Sequence, residues 1–300
     1  MSSSGPAVPS PTLPSSPLVL VTGKGGVGRS TVASAVALRL AETGRRVALA
    51  HPVDAPPVHP APIAPPGFVI HPIDRDAALD LYLSQNLPGP FAAALRASRA
   101  FRLITAATPG LAELITIGEL RRLIVDEGFD QVVYDAPATG HLLAMLDAPG
   151  RFERAAGVGP IARRAEEFGT WVLAPRTTSV VAVTTGDGLA VSELTDLVDA
   201  LELRLHRVPE LVVANRLAPP APPARELDAL EAADGLDPAV AAAIHRLAGR
   251  ARSERAQLGK VTRRIGRPPV QSLERPDHPV RAVLDALETI APAPPTGAIR

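Results

Sequence analysis

The chain has 300 residues, of which 46% are hydrophobic and only 3% aromatic, with 31 Lys+Arg against 31 Asp+Glu and no cysteine. That length accommodates one large α/β domain, or one domain with an insertion, and the core has to be built from Val, Leu, Ile and Ala. The charge balance argues against bulk attraction to nucleic acid or an anionic membrane, and the lack of cysteine excludes disulfides, thiolate metal sites and cysteine nucleophiles. No apolar run approaches the roughly 18 residues needed to span a bilayer.

Residues 1–16 are rich in Ser and Pro and lack the basic start and apolar stretch of a signal peptide, so a disordered leader is expected. Leu18–Thr22 reads as a strand running directly into a glycine-rich loop. Arg29–Thr43 reads as a helix, with Val32, Val36 and Leu40 on one face, and Arg46–Ala50 as the next strand. The segment His51–Pro66 holds seven prolines and is expected as an extended loop. Between Arg75 and Glu127 the pattern is helical, broken near Pro88–Pro90 and at Pro109-Gly110. Short Val-rich runs at Gln131–Tyr134, Ser179–Thr184 and Glu210–Ala214 are strands, and Pro269–Ser272 is a weaker one. Arg151–Leu173 is helical, as is the region beyond the Pro219–Pro223 break to about Gln257. A helix over His278–Ile290 follows, and residues 291–300 form a flexible tail. The alternation predicts an α/β fold, a mainly parallel sheet with helices on both faces. Such sheets carry ligand sites at the carboxyl ends of their strands.

The loop Gly23-Lys24-Gly25-Gly26-Val27-Gly28-Arg29-Ser30 has the spacing G-x-x-x-x-G-[K/R]-S between a strand and a helix. Its glycines let successive N–H groups curl inward, and the following helix adds the partial positive charge of its N-terminus. A nucleotide triphosphate is the natural guest, held by residues 23–31, Thr31 included, with Ser30 placed to hold Mg²⁺. Arg29 stands where such loops carry lysine; it keeps the charge, but its planar fork is not equivalent at a tight site.

This loop resembles the deviant P-loop G-K-G-G-V-G-K-[ST] of the arsenite-pump and tail-anchored-protein-targeting ATPases and their Min/Par relatives. Tyr134-Asp135-Ala136-Pro137-Ala138-Thr139-Gly140-His141 resembles the D-x-A-P-T-G-H segment of the arsenite/tail-anchor branch. The resemblance runs from about Leu18 to Ala218 and implies a P-loop NTPase domain over 17–290 with a small helical insertion, its helical segments at about 75–127 and 151–173. It implies ATP and Mg²⁺ as cofactors, with Lys24 reaching across a dimer to the partner's nucleotide. Asp135 would support the magnesium, Gly140 and His141 would lie in a mobile loop sensing the γ-phosphate, and Asn215 would read the adenine edge. Asn215 alone is equally a turn former. Weaker echoes are Pro109–Leu114 and Glu193.

Two features depart from the family pattern. Its D-P-A element aligns with His51-Pro52-Val53-Asp54-Ala55, so that Asp54, the candidate to position water, comes one residue late. His51 reads as a loop histidine rather than a base. With Arg29, this points to slow or absent hydrolysis, and hence to an alternative: a non-catalytic subunit pairing with an intact relative. Partners are therefore a second copy, or a related ATPase, and an unidentified client; with two methionines the chain lacks the Met-rich surface expected for a large tail-anchor groove. A Par/Min-like positioning ATPase is a further alternative, disfavoured because the last helix carries Asp285 and Glu288 beside a single Arg281. A cytoplasmic location is expected. The basic stretch Arg246, Arg250, Arg252, Arg255, Lys260, Arg263, Arg264 and Arg267, with Glu254 among them, reads as a solvated helix face.

Overall fold

The computed structural model describes residues 11–55, 64–231, 237–275 and 277–293. In chain order the elements are β1 (Thr12–Leu13), β2 (Leu18–Gly23), α1 (Arg29–Ala41), β3 (Val47–Pro52), β4 (Phe68–Ile73), α2 (Arg75–Asn86), α3 (Gly89–Ala97), α4 (Arg99–Ala107), α5 (Leu111–Val125) and β5 (Gln131–Asp135). They continue with α6 (Thr139–Ala156), α7 (Pro160–Leu173), β6 (Thr178–Thr184), α8 (Gly188–Leu205), β7 (Leu211–Leu217), α9 (Ala224–Glu231), α10 (Pro238–Ile265), β8 (Val270–Leu273), α11 (Pro279–Leu287) and β9 (Ala291–Pro292).

Seven strands form one parallel sheet in the order β4-β3-β5-β2-β6-β7-β8. β2 is central, flanked by β5 and β6, and every residue of it is buried. Its alternation divides the molecule into two cores. Leu18 and Leu20 join the core covered by α5, α6, α7 and α8, whereas Val19 and Val21 join the one covered by α1 and α11. β3 and β5 alternate in the same way: Ala48, Ala50, Val132 and Tyr134 face the first core, Val47, Leu49 and Val133 the second. Each fully buried Val or Leu contributes about 1.5–3 kcal/mol, so a one-residue slip of any inner strand would exchange two whole sets of side chains.

α1 is buried on nearly all sides, because the sheet lies on one side of it and α11 on the other. Small residues make this possible, with Ala33, Ala35 and Ala37 inaccessible beside Val32 and Val36. The helix starts at Gly28, whose φ of 90° is left-handed, a conformation that glycine adopts without a Cβ penalty.

The expected strands are all present, with one addition to the seven-stranded sheet. β4 lies at the sheet edge, directly before the expected helical region, and most of its side chains are exposed. Pro72 suits only such an edge, since it has no N–H to give a further strand. The helical region expected over 75–127 consists of four helices, broken at the two anticipated proline sites and also at Ser98, which caps α4. α6 begins at Thr139, earlier than the expected start at Arg151, and runs through Pro149. α10 extends to Ile265 rather than ending near Gln257. Parts of the segments expected as leader and tail pair with each other, Thr12 with Ala291 and Leu13 with Pro292, and Leu13 is buried. Residues 1–10, 294–300 and the 56–63 part of the proline-rich segment lie outside the described residues.

Candidate functional site

The glycine-rich loop lies at the carboxyl end of the central strand, where the chain leaves β2 and enters α1. Gly26 and Gly28 have φ of 86° and 90°, which explains why glycine stands at both positions. A Cβ on Gly23 would collide with the Val183 carbonyl of β6, and one on Gly28 with the Asn215 side-chain amide. The loop is therefore pressed against its neighbours, while Gly25 and Gly26 remain exposed. Its amides and the N-terminus of α1 form a setting suited to a polyphosphate anion.

Next to it lies the end of β5. Ser30 Oγ donates to Asp135 Oδ2 at 2.5 Å, and Arg29 Nη1 donates to the Ala136 carbonyl at 2.7 Å. Thr22 Oγ1 donates to the Pro137 carbonyl at 3.0 Å, so three loop-side residues grip the segment leaving β5. Asp135 is 7% exposed. Burial pushes its carboxyl above the usual aspartate range, opposed by the Ser30 hydrogen bond and by the charges of Arg29 and His51. Hydroxyl and carboxylate converge here as hard oxygen donors, the pair a magnesium ion uses together with water and phosphate oxygens. The donor set thus fits that metal.

Lys24 Nζ lies 3.5 Å from Glu193 Oε1 of α8, both partly exposed. Its charge also acts on Asp187, whose carboxyl is held below its usual range by the Thr185 hydroxyl first and then by the Ala190 N–H. Glu193, a weaker echo of the family in the sequence, is thus Lys24's ion-pair partner within the chain.

Asn215 is 4% exposed, and its Nδ2 donates to the Val27 carbonyl at 3.0 Å. One of its two amide N–H donors is spent on the loop backbone. The neighbouring Arg216 Nη1 reaches the Gly26 carbonyl at 2.9 Å, a contact that no local sequence pattern announces. Gly140 and His141, expected in a mobile loop, form the first turn of α6: the His141 and Leu142 amides both donate to the Ala138 carbonyl, at 2.8 and 3.1 Å. Both residues are exposed.

The water-positioning candidate is less closely placed. Asp54 sits exposed in the turn after β3, closed by the Ala55 amide on the Pro52 carbonyl at 3.0 Å, and no hydrogen bond to its side chain is formed among the described residues. His51 is not in a loop as expected. It ends up in β3, 8% exposed, with Nδ1 2.9 Å from the Pro52 carbonyl, and its charge is felt at Asp135. The parallel register that pairs Ala50 with Tyr134 brings these two strand ends together. No signal in the sequence announced that adjacency, because β4 and four helices lie between the two strands in the chain.

Among the described residues no helix is long and apolar enough to cross a membrane, and no group of three or more His, Asp and Glu converges as a metal site.

The model of the anion-transporting ATPase family matches residues 17–56, which span β2, the glycine-rich loop, α1 and β3. ATPase BagA of Mycobacterium tuberculosis is 31% identical over 228 residues, 67% of this chain and 65% of that protein. The arsenical pump-driving ATPase of Escherichia coli is 30% identical over 172 residues, 49% of this chain and 29% of its own. An ATPase ASNA1 homolog of Dictyostelium discoideum is 30% identical over 143 residues, 45% of this chain and 43% of its own. The chain thus spans less than two thirds of the length of each.

Proposed function

We propose, on the premise that this chain belongs to the arsenite-pump/tail-anchor-targeting family of ATPases, that it binds Mg·ATP on the Gly23–Ser30 loop and works as a dimer-forming, ATP-hydrolysing switch. The observation that carries this reading is the 2.5 Å contact between Ser30 Oγ and Asp135 Oδ2 beside a glycine-rich loop that opens onto a helix N-terminus. In this reading the loop amides and Arg29 hold the phosphates, while Ser30 and Asp135 hold the magnesium. When bound, the metal supplies charge neutralisation on the phosphate oxygens. Asp54 orients the attacking water, and Lys24 exchanges Glu193 for the nucleotide of a second copy or of a related ATPase. Positioning and charge stabilisation carry such a reaction, since the protein forms no covalent bond to the phosphoryl group. The client is a separate macromolecule, reached without a thiolate site since the chain has no cysteine.

A second reading, nucleotide binding without turnover, is favoured by two observations: Arg29 is engaged by the Ala136 carbonyl, and Asp54 lies on an exposed turn. Steady-state ATPase measured beside Mg·ATP affinity separates the two. Turnover by the pure protein, abolished by Lys24→Ala, supports the switch. Tight binding without turnover supports the second reading, and absence of Mg·ATP binding defeats both.

A further inference from the structure

We infer that Arg250 and Glu254 of α10 are positioning residues for the glycine-rich loop, acting through Asn215 and Arg216 at the end of β7; the functional meaning rests on reading that loop as a phosphate cradle. In a regular strand consecutive side chains point to opposite faces, yet Asn215 and Arg216 both reach the same loop. Asn215 holds the Val27 carbonyl at 3.0 Å and Arg216 holds that of Gly26 at 2.9 Å. The backbone explains how. The register of β7 against β8 shifts between Ala214 and Leu217, and Arg216 has a φ of 56°. An extra residue and a left-handed step swing the Arg216 side chain round to the side of its neighbour.

A left-handed conformation is unfavourable for arginine and persists only where its surroundings over-determine it. α10 supplies that constraint. Arg250 Nη2 donates to the Arg216 carbonyl at 2.8 Å, and the Ala218 amide donates to Glu254 Oε2 at 2.8 Å, so the irregular step is held on both sides. The two side chains are one helical turn apart and join each other, Arg250 Nε to Glu254 Oε1 at 2.7 Å. Glu254 is only 8% exposed, and a Cβ on Gly186 would collide with its side chain. The carboxylate is therefore buried, with both oxygens committed, between the β6–α8 turn and the end of β7. A buried ion pair is weak evidence for stability as such. An apolar pair would fill the same space but would not hold the Arg216 carbonyl and the Ala218 amide.

The test uses the full chain in two measurements: amide hydrogen exchange over residues 23–30, and binding of a fluorescent ATP analogue with Mg²⁺. Glu254→Gln keeps the volume but removes one acceptor. Arg250→Ala changes a residue exposed enough to leave the fold intact. Each is expected to speed exchange in the loop and weaken analogue binding by about threefold to tenfold, the worth of one or two hydrogen bonds. Arg250→Lys recovers part of the loss. Because Arg250 acts in part by aiming the Arg216 side chain, Arg216→Ala combined with Arg250→Ala costs less than the sum of the two single losses. Unchanged loop exchange in a folded Arg250→Ala variant, or strictly additive losses in the double variant, overturns the inference. If wild-type protein fails to bind the analogue, the phosphate reading falls, and the exchange measurement alone still decides whether α10 positions the loop.

Discussion

The guanidinium of Arg29 and the backbone carbonyl of Ala136 are joined at 2.7 Å, tying the start of α1 to the segment that leaves β5. One of the five guanidinium N–H donors is used here; a phosphate on the glycine-rich loop would draw on the others, and charge-assisted hydrogen bonds of that kind are strong.

Arg29→Ala therefore removes both contacts. Mg·ATP affinity should fall by about tenfold to a hundredfold, in keeping with roughly 1.5–3 kcal/mol for a hydrogen bond to a charged group. Arg29→Lys retains a cation but loses the fork. It should bind within about threefold of wild type and turn over faster, because lysine is the residue that such loops ordinarily carry. Calorimetric titration with phosphate-release assays checks both. Equal affinity in the alanine variant would remove Arg29 from the phosphate site.

Asp135 gives a pH dependence of definite sign. Its carboxyl is pushed above the ordinary range by burial, against the pull of Ser30, Arg29 and His51. For a raised acid, the stability contribution is complete below the unfolded value and is lost as pH rises through the folded one. At pH 7 the buried charge is thus a cost. Asp135→Asn should raise the melting temperature at pH 7, by an amount that narrows as pH is lowered toward the ordinary aspartate value, while abolishing the magnesium dependence of nucleotide binding. In wild type, Mg·ATP binding should weaken on the acid side at a higher pH than an ordinary aspartate would give. A variant less stable than wild type at pH 7, or one with unaltered magnesium dependence, contradicts the assignment.

What was readable in the chain, and what was not, follows from how far apart the interacting residues lie. The inner strands and α1 were legible because burial on both faces writes continuous Val and Leu runs, as in Leu18–Val21. β4 was not, since its apolar run is only Phe68–Ile70 before His71 and Pro72 interrupt it. The start of α6 was obscured because Thr139-Gly140 and Pro149-Gly150 are turn signals, overridden by packing of α6 on α5 and α7. The glycine-rich loop was legible as a local spacing. Its supports were not: Asn215 and Arg216 lie nearly 190 residues away, and only the strand order brings β7 to the loop. Glu254 looked like one acid in a basic helix face, and its burial depends on a contact with Gly186 that no local pattern encodes.

The Lys24–Glu193 pair, at 3.5 Å and partly exposed on both sides, should contribute less than about 1 kcal/mol to stability. Lys24→Ala is therefore expected to leave thermal unfolding almost unchanged. If Lys24 acts on a partner's nucleotide, turnover should still collapse, by at least about a hundredfold, with monomer affinity for Mg·ATP little altered. Glu193→Gln frees the lysine and should raise nucleotide-dependent association, read by light scattering with and without ATP. A Lys24→Ala protein that keeps full turnover would confine the residue to its own chain.

At the sheet edge, Glu119 of α5 binds β4. Its carboxylate takes two hydrogen bonds from Arg122, at 2.8 and 2.7 Å, and lies 3.1 Å from His71 Nε2 on β4. Burial alone would push its carboxyl upward, but the bonds and charges of Arg122 and His71 outweigh burial and hold it at about 2. A depressed acid stabilises the fold above its unfolded value and loses that contribution as pH falls through the folded one. The loss should run from about pH 4.5 down to about pH 2. Glu119→Gln is expected to destabilise by roughly 1–3 kcal/mol at pH 7, since it leaves Arg122 without its carboxylate. Denaturant unfolding at pH 7, 5 and about 3.5 should show this difference shrinking only at the lowest value. A difference that stays constant with pH would mean that shape, not charge, holds β4 against α5.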